Sequence, residues 1–516
     1  MILFFGSVRI RLLSFPLERD EGEYAYAGQL IMHGIAPFRY CYSMKLPGTA
    51  AAYALFTAIF GQTAVGVHLG LLLVNAATTV LVYLLARRVF GRLAGVVAAA
   101  AFAFLSLEPT VHGFAGHATQ FVVLPAVGGL LLLLKAIETG RLQMFWWSGV
   151  ALGLGVLMKQ PGMFFVLFAA FYLTCSEWMS GLQWRGLVSR MAALILGAVL
   201  PFAFTCLFFL EAGVFSRFWF WTFSYARQYG SIFTLSHGLE IFERRAPLIV
   251  SPAAPIWIIA VTGIVLVFWR RKEWSQIILV LGFLVFSFAA VCPGLYFREH
   301  YFVLLLPAVS LLCGAAVSRA TALIGGSSKI PALALVPAMV FAVALGLSVV
   351  HDSDYLFETD PVAACREIYG TNPFPEAPQV AEFIRNRSAS DDRIAVVGSE
   401  PEIYFYSQRR SATGYLYTYP IMEPQPFATT MQHEMESEIE NTKPRFVVYV
   451  HVPASWLAQP SSDQSIFTWA GQYLQNQYQL VGMVDLLGSE TEFHWDADAR
   501  SIQPRSSSYV LVFQRA

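Results

Sequence analysis

The stretch AVGVHLGLLLVNAATTVLVYLLA, residues 64–86, followed at once by RRVFGR, residues 87–92, decides the fold class. The first part contains no Asp, Glu, Lys or Arg. At 1.5 Å per residue it is long enough to cross about 30 Å of hydrocarbon. Arg87, Arg88 and Arg92 then mark a cytoplasmic end, because short cytoplasmic loops collect Lys and Arg. Further apolar segments lie at 93–111, 119–137, 144–158, 162–175, 187–210, 255–269, 275–291, 301–317 and 331–350, several of them short enough to need flanking residues. Segment 1–15 is shorter still and carries Arg9 and Arg11, each costing roughly 2.5–3.5 kcal/mol near a helix centre. Phe15-Pro16-Leu17-Glu18 offers no small-residue cleavage site, so the segment reads as a partial first helix, with truncation one explanation of its length. The expectation is a polytopic α-helical membrane protein of about eleven transmembrane helices over residues 1–350.

Composition agrees. The 516 residues are 56% hydrophobic and 13% charged, with a mean hydropathy of +0.55, whereas soluble domains carry about 25% charged residues. Lys plus Arg (34) balances Asp plus Glu (34), so no net field favours nucleic acid. The six cysteines (Cys41, Cys175, Cys206, Cys292, Cys313 and Cys365) have no CxxC spacing and read mostly as buried thiols. Cys41, Cys292 and Cys365 could share one face, and whether any two pair stays open.

Lys135 and Arg141, Arg185 and Arg190, Arg270 with Arg271 and Lys272, and Arg319 and Lys329 fall in alternate loops. The positive-inside rule sends them to the cytoplasm. Segments 16–48, 112–118, 211–254 and 292–300, and everything after about 351, are then external, which in a bacterium means the periplasm. In the loop 211–254, the run from Phe215 to Tyr229 reads as an interfacial helix, an aromatic belt more readily than a substrate surface. After Asp352 hydropathy collapses and a soluble α/β domain begins, residues 351–516. Strands are expected at 393–397, 445–450, 480–484 and 509–513, and helices at 378–387, 426–441 and 466–477. No Gly-rich phosphate loop or nucleophile elbow occurs there, which points to acceptor recognition or bracing.

Chemistry concentrates in the first outer loop, Glu18-Arg-Asp-Glu-Gly-Glu-Tyr-Ala-Tyr-Ala-Gly28, with Gly34-Ile-Ala-Pro-Phe38 and Lys45-Leu-Pro-Gly48 after it. Asp20, Glu21 and Glu23 put three carboxylates beside a membrane surface, where mutual repulsion raises their cost. One account is structural: Asp20 caps a helix running to about His33, Glu23 completes a capping box and Gly34 ends it. Capping and catalysis can coexist.

The Asp-Glu pair, Tyr24 three residues beyond Glu21, the Gly-x-x-Pro-aromatic turn and the Lys-x-Pro segment resemble the first outer loop of the C-type glycosyltransferases. The branch they resemble contains the dolichyl-phosphate-mannose protein mannosyltransferases and bacterial aminoarabinose transferases. The resemblance continues through Gly153-Leu-Gly-Val-Leu-Met-Lys159-Gln-Pro-Gly162 and Phe297-Arg-Glu-His-Tyr-Phe-Val-Leu-Leu-Leu-Pro307, covering about residues 16–320. It implies inverting transfer of a sugar from a polyprenyl-phosphate carrier to an acceptor protein, glycan or lipid, outside a bacterial cytoplasmic membrane. Asp20 would be the general base with Glu21 orienting or assisting, and Lys45, Arg298 and Lys159 would meet the lipid phosphate, so neither a metal nor another cofactor is required. Glu23, Tyr24, His117, His300 and Tyr301 are further candidate substrate contacts. Each cation could instead snorkel to head groups, and each histidine could cap carbonyls. One departure bears on the acceptor class: the outer turn after the third helix often carries an acidic residue, and here it reads His117-Ala-Thr-Gln120. A transporter or lipid flippase is the main rival, but it would place charges near the bilayer midplane on interrupted, repeated helices.

Overall fold

The computed structural model describes residues 2–181, 184–269, 274–327, 330–488 and 490–516, so Arg270, Arg271, Lys272 and Lys329 lie outside the described residues. Among the described residues seven helices are long and apolar enough to cross a membrane: Ala64–Phe90, Ala118–Thr139, Gln160–Ser180, Trp184–Glu211, Trp274–Val291, Leu306–Gly326 and Pro331–His351. An eighth span results if Leu235–Val250 and Ala254–Phe268, bent by 107° at their junction, count as one. Gly48–Phe60, Arg92–Leu105 and Leu142–Met158 are shorter apolar helices. The chain is thus a multi-pass α-helical membrane protein, with seven or eight helices of spanning length among the described residues where about eleven spans were expected.

Three boundaries differ from the sequence reading. The helix Gly48–Phe60 was hidden in a connection because its 13 residues fall short of a span. The segment expected at 93–111 ends its helix at Leu105, ahead of Pro109, since the residue before proline disfavours helical geometry. The outer loop 211–254 contains the helix Leu235–Val250. The N-terminal helix, Ile2–Arg11, is short as expected, and its arginines sit where their charge is solvated by protein. Arg9 donates to the carbonyls of Ser106 and Gly113, each at 2.8 Å, and Arg11 donates to those of Tyr355, Leu356 and Thr359.

Small residues let the bundle close. A Cβ on Gly149 would lie 2.0 Å from the Leu194 carbonyl oxygen, and one on Gly197 would lie 2.2 Å from that of Trp146. The helices Leu142–Met158 and Trp184–Glu211 therefore pack backbone to backbone, as helices without a hydrophobic driving force between them must. The outward side of Trp184–Glu211 exposes Leu196, Phe204, Leu207 and Phe208, a surface suited to lipid. All six cysteines are unpaired.

The C-terminal region folds as one six-stranded mixed sheet: β1 (Arg393–Val397), β2 (Arg410–Ser411), β3 (Phe446–His451), β4 (Tyr478–Leu486), β5 (Thr491–Trp495) and β6 (Tyr509–Arg515), in the order β2-β1-β3-β6-β4-β5. β1 runs parallel to β2 and β3, and the remaining pairs are antiparallel. The expected strands correspond to β1, β3, β4 and β6, and the expected helices to Ala377–Arg385, Ala428–Thr442 and Ser465–Gln477. β2 and β5 escaped because one is two residues long and the other is a partly exposed edge. This sheet region docks on the helix Arg19–Met32. Tyr24, Tyr26 and Leu30 share a buried apolar cluster with Val396, Tyr404 and Leu416. The Ser411 N–H donates to the Tyr26 hydroxyl at 2.8 Å, and the Tyr42 N–H donates to the Gly414 carbonyl at 2.7 Å.

Candidate active site

The helix Arg19–Met32 positions the acidic cluster, and its cap is Glu18 rather than Asp20. The Glu18 side chain accepts from the Glu21 N–H at 2.9 Å while the Glu21 carboxylate reaches back to the Glu18 N–H at 3.4 Å, a capping box two residues earlier than the sequence suggested. That register leaves Asp20 and Glu23, three residues apart, on one face, and turns Glu21 about 100° away.

Asp20 and Glu23 meet Lys45. The ammonium lies 2.7 Å from Asp20 Oδ1 and 2.5 Å from Glu23 Oε2, and sits 4.6 Å over the Tyr24 ring. Tyr417 of the sheet region donates its hydroxyl to Asp20 Oδ1 at 2.8 Å, and His117 Nδ1 lies 3.5 Å from Asp20 Oδ2. Burial alone would raise the Asp20 carboxyl, but Lys45 and His117 hold it well below the usual carboxylate range. Burial alone would lower Lys45, and its two carboxylates hold it well above its ordinary value. Asp20 and Lys45 are therefore both charged.

Glu21 lies elsewhere. It is fully buried, accepts from the Gly116 N–H at 2.6 Å and sits 3.0 Å from His68 Nε2, fastening the loop that carries His117. It cannot orient a substrate at Asp20. His117 stacks on His300 with ring centroids 4.0 Å apart and planes 9° from parallel. Burial is opposed at His117 by Glu18 and Asp20, which raise it, whereas burial and the neighbouring His117 push His300 well below the usual imidazole range. Burial raises Glu18 to about 7.

These groups border a cavity of about 280 Å³ that also brings in Lys159, Arg298 and Tyr301. Lys159 sits 3.8 Å over the Tyr301 ring, and Arg298 lies 5.5 Å over that of Tyr296. Among the described residues neither has a carboxylate within ion-pair distance, whereas Lys45 is paired with both Asp20 and Glu23. Burial, helped by Lys45 and Arg298, lowers Lys159 to about 7.

Of the ten residues singled out in the sequence, Asp20, Glu23, Tyr24, Lys45, Lys159, Arg298, His300 and Tyr301 line this one cavity, His117 packs behind His300, and Glu21 points away. The stretch expected to be an interfacial belt lines it too, through Trp221, Tyr225 and Tyr229. Their four-residue spacing marks one helical face, a signal a belt and a cavity wall share. Sequence reasoning missed Tyr417, Tyr419 and Glu423, which reach in from the sheet region; Glu423 accepts from the Tyr225 hydroxyl at 2.5 Å. The only local signal was the tyrosine alternation at 415, 417 and 419. Two groups present ligand atoms within 4.8 Å of one another and could hold a metal ion: His112, His117 and His300, and Glu18, Asp20 and His117.

Residues 45–210 match the family described as dolichyl-phosphate-mannose-protein mannosyltransferase. Among solved structures, the fold is similar to that of ArnT from Cupriavidus metallidurans in the apo state (TM-score 0.61, 15% identity, covering 99% of this chain and 97% of that one). The same enzyme bound to undecaprenyl phosphate matches with a TM-score of 0.61 at 14% identity, again over 99% and 97% of the two chains. The Archaeoglobus fulgidus oligosaccharyltransferase tethered with an acceptor peptide matches with a TM-score of 0.54 at 14% identity, over 98% of this chain and 74% of that one. No curated protein matches the sequence. With a family match across its early helices and a similar architecture from end to end, the chain shares the fold of the ArnT and oligosaccharyltransferase structures.

Proposed function

We propose that this protein transfers a sugar, with inversion, from a polyprenyl-phosphate carrier to an acceptor nucleophile at the external face of a bacterial cytoplasmic membrane. The observation that carries the reading is the cavity itself, which gathers an ionised Asp20 with Lys159 and Arg298, neither of which forms an ion pair with a carboxylate among the described residues. In the reaction Asp20 takes the acceptor proton as the acceptor oxygen attacks the anomeric carbon, and the bond from that carbon to the phosphate oxygen breaks with its electron pair going to the phosphate. The phosphate passes from a singly charged diester to a monoester bearing more negative charge. Fixed cations therefore bind the transition state more tightly than the bound donor, which is the condition for catalysis. Lys45, paired with Asp20 and lining the same cavity, would serve both the base and the phosphate.

The fold shared with these structures supports the reading, as do the undecaprenyl phosphate in the ArnT complex and the acceptor peptide on the oligosaccharyltransferase. So does the gathering of charge at one end of the bundle, away from the midplane a transporter would use. The test is Asp20→Asn assayed with a labelled polyprenyl-phosphate sugar, with the anomeric configuration of the product read by NMR. The substitution should lower kcat by about 10²–10⁴-fold with inverted product from the parent protein. Undiminished transfer removes Asp20 as the base, and a retained configuration removes the single-displacement mechanism.

A further inference from the structure

The two oxygens of Asp20 have different surroundings. Oδ1 receives Lys45 at 2.7 Å and the Tyr417 hydroxyl at 2.8 Å, while the polar neighbour of Oδ2 among the described residues is His117, at 3.5 Å. The proton on Tyr417 has one direction open to it. Lys45 Nζ, a donor only, lies 3.5 Å from the same phenolic oxygen, so the phenol accepts from the ammonium and donates to the carboxylate. A hydrogen bond to an ionised acceptor is worth about twice a neutral one and fixes its orientation. Tyr417 comes from the sheet region, 397 residues along the chain from Asp20, and has no other hydrogen-bond acceptor for its proton among the described residues.

We propose that Tyr417 is the positioning residue of the base: it pins Asp20 through Oδ1 so that Oδ2 faces the acceptor, and it is the contact that remains when Lys45 turns to the donor phosphate. This rests on the function proposed above, in which Lys45 serves both groups in turn. In the resting site Asp20 is held by two donors. Once the donor arrives and Lys45 is shared with the phosphate, Tyr417 is the donor that still holds Oδ1, with His117 beside Oδ2. The sheet region is then part of the active site, although it contributes none of the groups that exchange protons or bonds.

The experiment compares the parent protein with Tyr417→Phe and Tyr26→Phe, measuring kcat, the donor KM and the acid limb of the rate profile in each. Tyr26→Phe deletes a hydrogen bond between the same two regions but touches nothing in the cavity. Tyr417→Phe should lower kcat about 10- to 100-fold and move the acid limb upward by about one pH unit, with the donor KM changed less than about threefold. Tyr26→Phe should lower the melting temperature and leave the acid limb in place. An acid limb unmoved in Tyr417→Phe, or one displaced equally in both variants, overturns the proposal. Absence of transfer in the parent protein with lipid-phosphate sugars would overturn the functional reading itself, and the pin along with it.

Discussion

Replacing Gly22 by alanine tests the link between the acidic helix and the sheet region. A Cβ at Gly22 would lie 2.5 Å from the Glu402 backbone nitrogen and 2.8 Å from its Cα, atoms that no rotamer change can move. Ordinary carbon contacts begin near 3.5 Å, so roughly 1 Å of separation has to be found. The helix cannot supply it by backing away, because Gly28 on another of its faces is equally close to the next helix: a Cβ there would meet the Ala54 nitrogen at 2.8 Å. The strain falls on the junction that holds Asp20 two residues earlier against Tyr417. Overpacking of this kind costs about 1–3 kcal/mol. A 1 Å misplacement of a reacting group costs on the order of 10²-fold in rate. Thermal unfolding of the detergent-solubilised protein reads the first quantity and transfer from labelled polyprenyl-phosphate sugar reads the second. Gly346→Ala, where an added Cβ meets nothing within 4 Å, is the control and should change neither. A Gly22→Ala protein with the parent melting temperature and rate would refute the packing argument.

Two further outcomes follow from groups whose charge the fold alters. Lys159 sits near 7 in the free site and becomes a cation when the phosphate binds, so binding takes up a proton above that pH. The donor KM should rise by up to about tenfold per unit above pH 7, and the rise should vanish in Lys159→Arg; isotherms recorded in buffers of different ionisation enthalpy check the proton uptake, and a flat KM between pH 6 and 8.5 contradicts it. Glu108 is 2% exposed, one of its oxygens lacks a partner, and burial together with nearby Asp352 raises it to about 8 against the Thr110 hydrogen bond. Its folded value exceeds its unfolded one, so the stability it contributes is complete below about 4.5 and is lost as the pH rises through 8. Glu108→Gln should match the parent in melting temperature at pH 5 and exceed it at pH 8.5 by the equivalent of about 1–3 kcal/mol; equal curves at both pH values would show that the carboxyl does not ionise there.

The spans and the strands of the sheet were legible because each rests on a local pattern: apolar length for 64–86, alternation bounded by turns for 393–397 and 509–513. The site was legible where charge interrupted such a pattern at one end of the bundle, as Lys45, Lys159 and Arg298 do. It was misread where the answer depended on the angle around a helix. Moving the cap from Asp20 to Glu18 changes nothing in composition, yet it decides that Glu23 faces the cavity and Glu21 faces His68. Trp221, Tyr225 and Tyr229 were visible as a face, but an aromatic face toward head groups and one toward a cavity read alike in sequence. Tyr417 had no local signature tying it to Asp20, since that contact depends on how the sheet docks, which is set by Tyr26, Gly22 and Leu416 together.

The contribution of Tyr417, Tyr419 and Glu423 has a bearing on how the protein matures. Synthesis runs from the N-terminus, so every long membrane helix has left the ribosome before residue 417 has been added to the chain. During that interval the bundle possesses its cations and its base but not the wall that closes around them. On the proposed function, assembly of the sheet is the event that completes the site, and a chain arrested after its last span would occupy the membrane as an incomplete vessel, unable to expend lipid-linked sugar.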